Sequence, residues 1–142
     1  KIKAYGSGNG EWNWNEELFA NFRMYYALCR TGYKVYMNNT VYTGAQIADM
    51  YRKSYEETLA RGIASDGDGL MYVMTRMADT EGWEPFRKAF RELYGLDPAV
   101  SCGATKWEKI DCFFSVVSRY ASKDLLETYF TPAQIAALKT LK

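Results

Sequence analysis

The chain has 142 residues, 48% hydrophobic and 25% charged, with a formal net charge of +1 at pH 7. That is one domain's worth of ordinary globular composition, long enough to bury a core. A near-neutral balance gives no electrostatic case for nucleic acid or an anionic membrane as partner, and no apolar run reaches bilayer-spanning length.

Residues 1–13, rich in Gly and Asn, read as a loop leading into the first helix. The chain begins KIKAYG without a methionine and shows no signal peptide, so it is expected to be a piece of a longer protein. The stretch NWNEELFANFRMYY, 13–26, opens an amphipathic helix expected over about 14–30, with Thr31-Gly32 as its stop. From Glu17, one helix face runs through Trp14, Leu18, Asn21, Tyr25 and Leu28, while Glu16 lies about 100° away. An acid set among Trp, Leu and Tyr is costly to desolvate unless something pairs with it. Spacing leaves two readings of Glu17 open. It is a first-turn acid of the kind a helix dipole favours, or a ligand with Asn21 beside it one turn on.

YKVYMNNTVY, 33–42, is a small hairpin about Asn38-Asn39 or a long connection. Thr43 is expected to cap a helix to about Arg61, with Ile47, Met50, Tyr51, Tyr55, Thr58 and Leu59 at helical spacing and Gly62 ending it. SDGDG, 65–69, is a turn that lacks the third ligand and the glycine register of a calcium loop. Asp66 or Asp68 is therefore expected to cap the helix LMYVMTRMADT.

Gly82 breaks the chain before WEPFRKAFRELYG, 83–95, where Pro85 suits a first turn and Phe86, Phe90 and Leu93 form the buried stripe. LDPAVSCGA, 96–104, is a loop. Thr105 opens a helix to about Ala121 carrying Trp107, Ile110, Phe113, Phe114, Val117 and Tyr120, and Ser122 starts a shorter one, KDLLETYF. Thr131-Pro132 caps a last helix to Leu141. The fold class is mainly α, a multi-helix bundle or array over 14–142 with at most one short β-hairpin.

Histidine is absent and no C-x-x-C occurs, so a zinc site built from this chain alone is not expected. Cys102 and Cys112 stand close enough to bridge, but three buried thiols, Cys29 included, are the expectation. Aromatic residues make up 16% of the chain, with 12 Tyr and 4 Trp. Such residues fill a core with hydroxyls at the surface, or line a sugar or peptide groove.

Composition and periodicity describe a helical domain without naming an activity. Trp14-Asn15-Glu16-Glu17-Leu18-Phe19-Ala20-Asn21-Phe22 resembles the glutamate helix of gluzincin metallopeptidases, which bind zinc through the two His of H-E-x-x-H and a Glu on a later helix. Against the aminopeptidase pattern W-L-N-E-G-x-A, Glu17, Trp14 and Ala20 match, while Glu16 replaces the Asn. Against the pattern E-V-x-x-N-[IL] of the enhancin-like, mucin-degrading metallopeptidases, Glu17, Asn21 and Phe22 match. DGLMYVMTRMADTEGWEPFRKAF, 68–90, is similar to that family's helix, Gly-Trp pair and aromatic helix. KIDCFFSVVSRYASKDLLETYF, 109–130, is similar to its closing pattern, with Asp124-Leu125 in place of Asn-Leu and without the usual Trp-Gly after the final Phe.

The resemblance covers about residues 12–130 and implies the C-terminal helical subdomain of a gluzincin. Glu17 would be the third zinc ligand in the complete domain, and Asn21 would orient a metal-binding His. Trp14, Glu16, Tyr25 and Tyr26 would be cleft candidates, although core packing is the expectation for each of the two tyrosines. The partners implied are the N-terminal half of the catalytic domain, which carries H-E-x-x-H, and a protein or glycoprotein substrate, in an extracellular or cell-surface setting. With no His, the chain alone is expected to be inactive and to bind no zinc. A non-catalytic helical binding module of a surface or secreted protein, and an intracellular interaction domain, are the other two readings.

Overall fold

The computed structural model describes residues 12–94 and 102–142. The chain is mainly helical, with seven α-helices and one two-stranded antiparallel hairpin among the described residues. The loop expected over 96–104 and the one over 1–13 lie largely outside them.

Helix α1 (Glu16–Thr31) starts at Asn15, whose side chain accepts the Leu18 N–H at 3.0 Å. It ends at Gly32 in the left-handed region, φ 68°, as expected of a glycine stop. Strands β1 (Val35–Met37) and β2 (Thr40–Tyr42) pair with Tyr36 opposite Val41. Asn38 and Asn39 both take positive φ, the two-residue turn whose twist suits a hairpin. The region is thus the hairpin rather than the long connection.

Three further helices start with reciprocal caps. Thr43 and Gln46 open α2 (Gly44–Glu57), Thr105 and Glu108 open α5 (Lys106–Ala121), and Thr131 and Gln134 open α7 (Pro132–Leu138). The α2 region departs from expectation at its far end. The α-helix stops at Glu57, and Leu59–Arg61 continues as a single 3-10 turn that buries Leu59 and ends at Gly62. Met50, expected in the buried stripe, is exposed, because Ile47 and Tyr51 alone face the core fully.

Helix α3 (Asp68–Glu81) is capped by Gly67 with no side-chain hydrogen bond, so neither aspartate of the SDGDG turn is its cap. Its second residue, Gly69, is buried against the end of α2, where an added Cβ would come within 2.4 Å of Thr58 Oγ1. That close approach fixes where α3 begins. Helix α4 (Glu84–Tyr94) has Pro85 in its first turn and buries Phe86, Ala89 and Leu93, while Phe90 is only half-buried. Ser122 ends α5 in a left-handed conformation instead of starting the next helix; Asp124 caps α6 (Leu125–Tyr129). Trp107 and Tyr120 lie at the edges of α5, half-buried and exposed.

The core is aromatic and methionine-rich. Phe19 of α1 meets Trp12, Trp14 and Phe113 edge-on at 5.0, 4.7 and 5.3 Å between ring centroids. Met71, Met74 and Met77 of α3 are fully buried, as are Ile110, Phe114 and Val117 of α5. Each such side chain contributes about 1.5–3 kcal/mol on burial. Gln134 of α7, also buried, donates to the Tyr55 hydroxyl at 3.0 Å and ties α7 to α2.

The cysteines depart from expectation. Cys102 and Cys112 form a disulfide, and Cys29 is an exposed free thiol near the end of α1. Cys112 sits in the second turn of α5 and Cys102 just before its cap, so helix formation brings the pair together.

Candidate functional site

The start of α1 is held from two sides. Trp14 is buried, and its indole N–H donates to the Asp66 carbonyl at 3.1 Å; the Asn15 amide donates to the same oxygen at 3.2 Å. The Asp66 carboxylate in turn pairs with Lys106 of α5. The SDGDG turn is thereby docked onto the first turn of α1, and α3 starts directly beyond it.

This docking sets Asp68 beside Glu17. The two carboxylates line a small polar cleft of about 260 Å³, with Asn15, Leu18 and Gly67 as the other walls. Desolvation and then the Glu17 charge push the Asp68 carboxyl above its ordinary value. Tyr51 of α2 feels both acids. Burial first, then Asp68 and Glu17, push its phenol up to about 12.

Glu17 itself is exposed and makes no hydrogen bond or ion pair with the described residues. This corrects its placement on the apolar side of the helix. The stripe of Leu18, Phe19, Phe22, Tyr25 and Leu28 is buried, but Glu17 stands at its N-terminal margin, where the first turn leaves the carboxylate in solvent. Asn21, about 40° round the helix from Glu17, is half-buried. Glu16 is exposed on the neighbouring side.

The tyrosines go elsewhere. Tyr25 is buried, and its hydroxyl donates to Asp79 Oδ1 of α3 at 2.8 Å. Burial, then that bond, raises its phenol far above the usual range, so it stays protonated. Tyr26 lies on the opposite side of α1 from Glu17, half-buried against Trp83 at 5.0 Å between rings. Of the candidate residues, Glu17 lines the cleft, while Trp14, Glu16 and Asn21 are not among its walls and Tyr25 and Tyr26 lie away from it.

Sequence reading missed Asp68 and Tyr51 as neighbours of Glu17. No local pattern links residues so far apart in sequence; the only signal was the pair of aspartates in the SDGDG turn. It also missed the groove formed by Phe22, Tyr26 and Trp83 with α4. Among the described residues, no group of three or more His, Cys, Asp or Glu side chains could hold a metal ion. No helix of the described residues is long and apolar enough to cross a membrane. No known family model matches the chain, and no curated protein or solved structure is significantly similar to it.

Proposed function

We propose that this chain is the C-terminal helical subdomain of a zinc-dependent metallopeptidase acting on protein or glycoprotein substrates, in which Glu17 is the third zinc ligand. The observation that carries the reading is the state of Glu17. It is an exposed carboxylate without a hydrogen-bonding partner among the described residues, mounted on a helix whose apolar stripe from Leu18 to Leu28 is locked into the core. A ligand waiting for a metal held from another segment has to be solvent-facing and rigidly carried. Asn21, one turn on and half-buried, is in reach of a group that enters over Glu17. The Cys102–Cys112 disulfide suits an oxidising, extracellular setting.

The residues of this chain do not make a zinc site by themselves. Zinc takes three or four nitrogen, sulfur or oxygen ligands, and the cleft offers the Glu17 and Asp68 carboxylates with no histidine anywhere in the chain. The proposal therefore assigns one ligand here and the remaining ones to an H-E-x-x-H segment outside this sequence. The chain alone is assigned no catalysis.

The test is made on the parent reading frame. H-E-x-x-H is expected roughly 15–30 residues before Trp14, the spacing that the resemblance implies. The protein extended to include it should carry zinc by elemental analysis and hydrolyse a glycoprotein, and Glu17→Ala should lose both with its circular dichroism unchanged. Absence of the motif, or full zinc content in Glu17→Ala, would end the reading.

A second reading, a non-catalytic helical binding module of a surface or secreted protein, is favoured by a different observation. The aromatic groove between α1 and α4 stands open beside three arginines. It requires no zinc in the parent protein.

A further inference from the structure

A cavity of about 270 Å³ lies where α2, α3 and α6 meet, walled by Tyr55, Tyr72, Val73, Arg76 and Tyr129. Tyr72 and Arg76 are one turn apart on α3 and share a face, and the Arg76 guanidinium donates to the Tyr72 hydroxyl at 3.3 Å. Tyr55 of α2 sets its ring 5.1 Å from that of Tyr72, with 37° between the planes. Val73 is buried and the three tyrosines are half-buried, so ring faces and one isopropyl group supply apolar surface. No acidic side chain is among these walls.

Two of the hydroxyls have their hydrogens free. Gln134 Oε1 accepts the Thr131 backbone N–H at 2.9 Å, so it is the Gln134 amide N–H that faces the Tyr55 oxygen, at 3.0 Å. The Tyr55 oxygen is therefore an acceptor there, and its own hydrogen points elsewhere. Tyr72 is in the same state, because a guanidinium only donates. Among the described residues, neither hydrogen has an acceptor, and Arg76 has no ion pair. Tyr129 differs: its hydroxyl donates to Glu81 Oε1 at 2.6 Å, and Lys123 pairs with that carboxylate at 3.0 Å. The cavity thus presents two phenol O–H groups and a guanidinium, all donors, with nothing in the fold to accept from them.

We infer that this cavity binds a small monocarboxylate with an apolar or aromatic body, its oxygens taken by the Tyr55 and Tyr72 hydroxyls and the Arg76 guanidinium, its body laid against the tyrosine rings and Val73. Hydrogen bonds to an ionised acceptor are about twice as strong as neutral ones, so three donors at one cavity select an anion. One guanidinium balances one negative charge, and Lys123 is already paired with Glu81. A phosphate dianion would keep one charge unmatched. Tyrosine rings also hold cations over their faces, but Arg76 beside them repels a cation. The volume lies just under the range of ordinary ligand pockets and suits a single ring with a short acid arm. The cavity shares no wall with the Glu17–Asp68 cleft, and the inference does not depend on the zinc reading.

The test titrates the 142-residue chain with phenylacetate and follows the ring signals of Tyr55 and Tyr72 by NMR. Phenylacetamide, benzyltrimethylammonium and phenyl phosphate are the comparison probes. The two tyrosines should shift saturably with phenylacetate, with Kd on the order of 0.1–1 mM. The neutral amide and the cation should bind at least about tenfold more weakly. Arg76→Gln changes an exposed side chain and should weaken phenylacetate at least about tenfold with the circular dichroism unchanged. Tyr72→Phe, which keeps the ring and removes one donor, should weaken it by about fivefold. Amide or cation binding as tight as the acid, or an unchanged affinity in Arg76→Gln, overturns the proposal. So does the absence of saturation below about 10 mM. Tighter binding of phenyl phosphate would overturn it too, by making a phosphate ester the ligand.

Discussion

The indole N–H of Trp14 reaches the Asp66 carbonyl at 3.1 Å, across 52 residues of sequence. This contact, with the Asn15 amide on the same oxygen, joins the first turn of α1 to the turn before α3 and puts Glu17 beside Asp68. Trp14→Phe keeps a ring against Phe19 but removes the donor. Asp66 retains its bond from Asn15, so the loss is one hydrogen bond plus a small void, about 1–2 kcal/mol. Trp14→Ala should cost about 3–5 kcal/mol. Urea unfolding should show a lower midpoint at unchanged slope for Trp14→Phe. A midpoint equal to wild type would mean that the contact contributes nothing.

The Asp68 carboxyl is raised by desolvation and by Glu17. A raised carboxyl binds its proton more tightly in the folded state than in the unfolded one. Stability therefore falls as pH rises from the unfolded value through the folded one. Glu17→Gln removes the repulsion. The Asp68 titration followed by carbon NMR should move to lower pH, and the protein should gain up to about 0.5 kcal/mol at pH 7, a surface-scale effect. The gain should vanish below about pH 3, where carboxyls are protonated. An unmoved Asp68 titration would show that the two acids do not sense each other.

Tyr129 of α6 donates to Glu81 Oε1 at 2.6 Å, and Lys123 reaches the same carboxylate at 3.0 Å. The Tyr129 bond first, then Lys123, hold the Glu81 carboxyl below its ordinary value. Its contribution is thus present above the unfolded carboxyl value and is lost as pH falls through the folded one. Tyr129→Phe should cost about 1 kcal/mol at pH 7, and the deficit should shrink on acidification. Urea unfolding at pH 7 and pH 3 checks this, and a deficit independent of pH would contradict it.

The Cys102–Cys112 bridge spans a sequence separation of 10. Closing a loop of that size in the unfolded chain corresponds to about 2–3 kcal/mol. Dithiothreitol should lower the unfolding free energy by that amount and raise the mass by two hydrogens, while Cys102→Ser with Cys112→Ser should reproduce the loss without reductant. If the oxidised and reduced chains unfold together, the bridge is not a stabilising element.

Most helix starts were legible because capping is local. Thr43 with Gln46, Thr105 with Glu108 and Thr131 with Pro132 and Gln134 place their signals within one turn of what they cap. The errors fall where two signals competed. Ser122 is a good cap residue, yet it ends α5 in a left-handed turn because Asp124, two residues on, caps α6 instead. Asp66 and Asp68 looked like caps, but one pairs with Lys106 and the other is already inside the first turn of α3. The cysteines were misjudged because pairing depends on where the chain before α5 is led, which no spacing states.

The helical class, the Asn38-Asn39 hairpin turn as one of two options, and the apolar stripes that become the core were all legible in the order of the residues. These follow from side-chain period and from turn and cap chemistry acting within a few residues. Packing settled the rest: Glu17 faces solvent beside Asp68, Tyr25 bonds Asp79, and Tyr26, Trp83 and three arginines share a groove. Those relations join segments far apart in the chain. They are fixed by how helices settle against one another, here by the Trp14–Asp66 contact and the close approach at Gly69. A one-dimensional pattern fixes which face of a helix is buried; it does not fix which residue of another helix that face will meet.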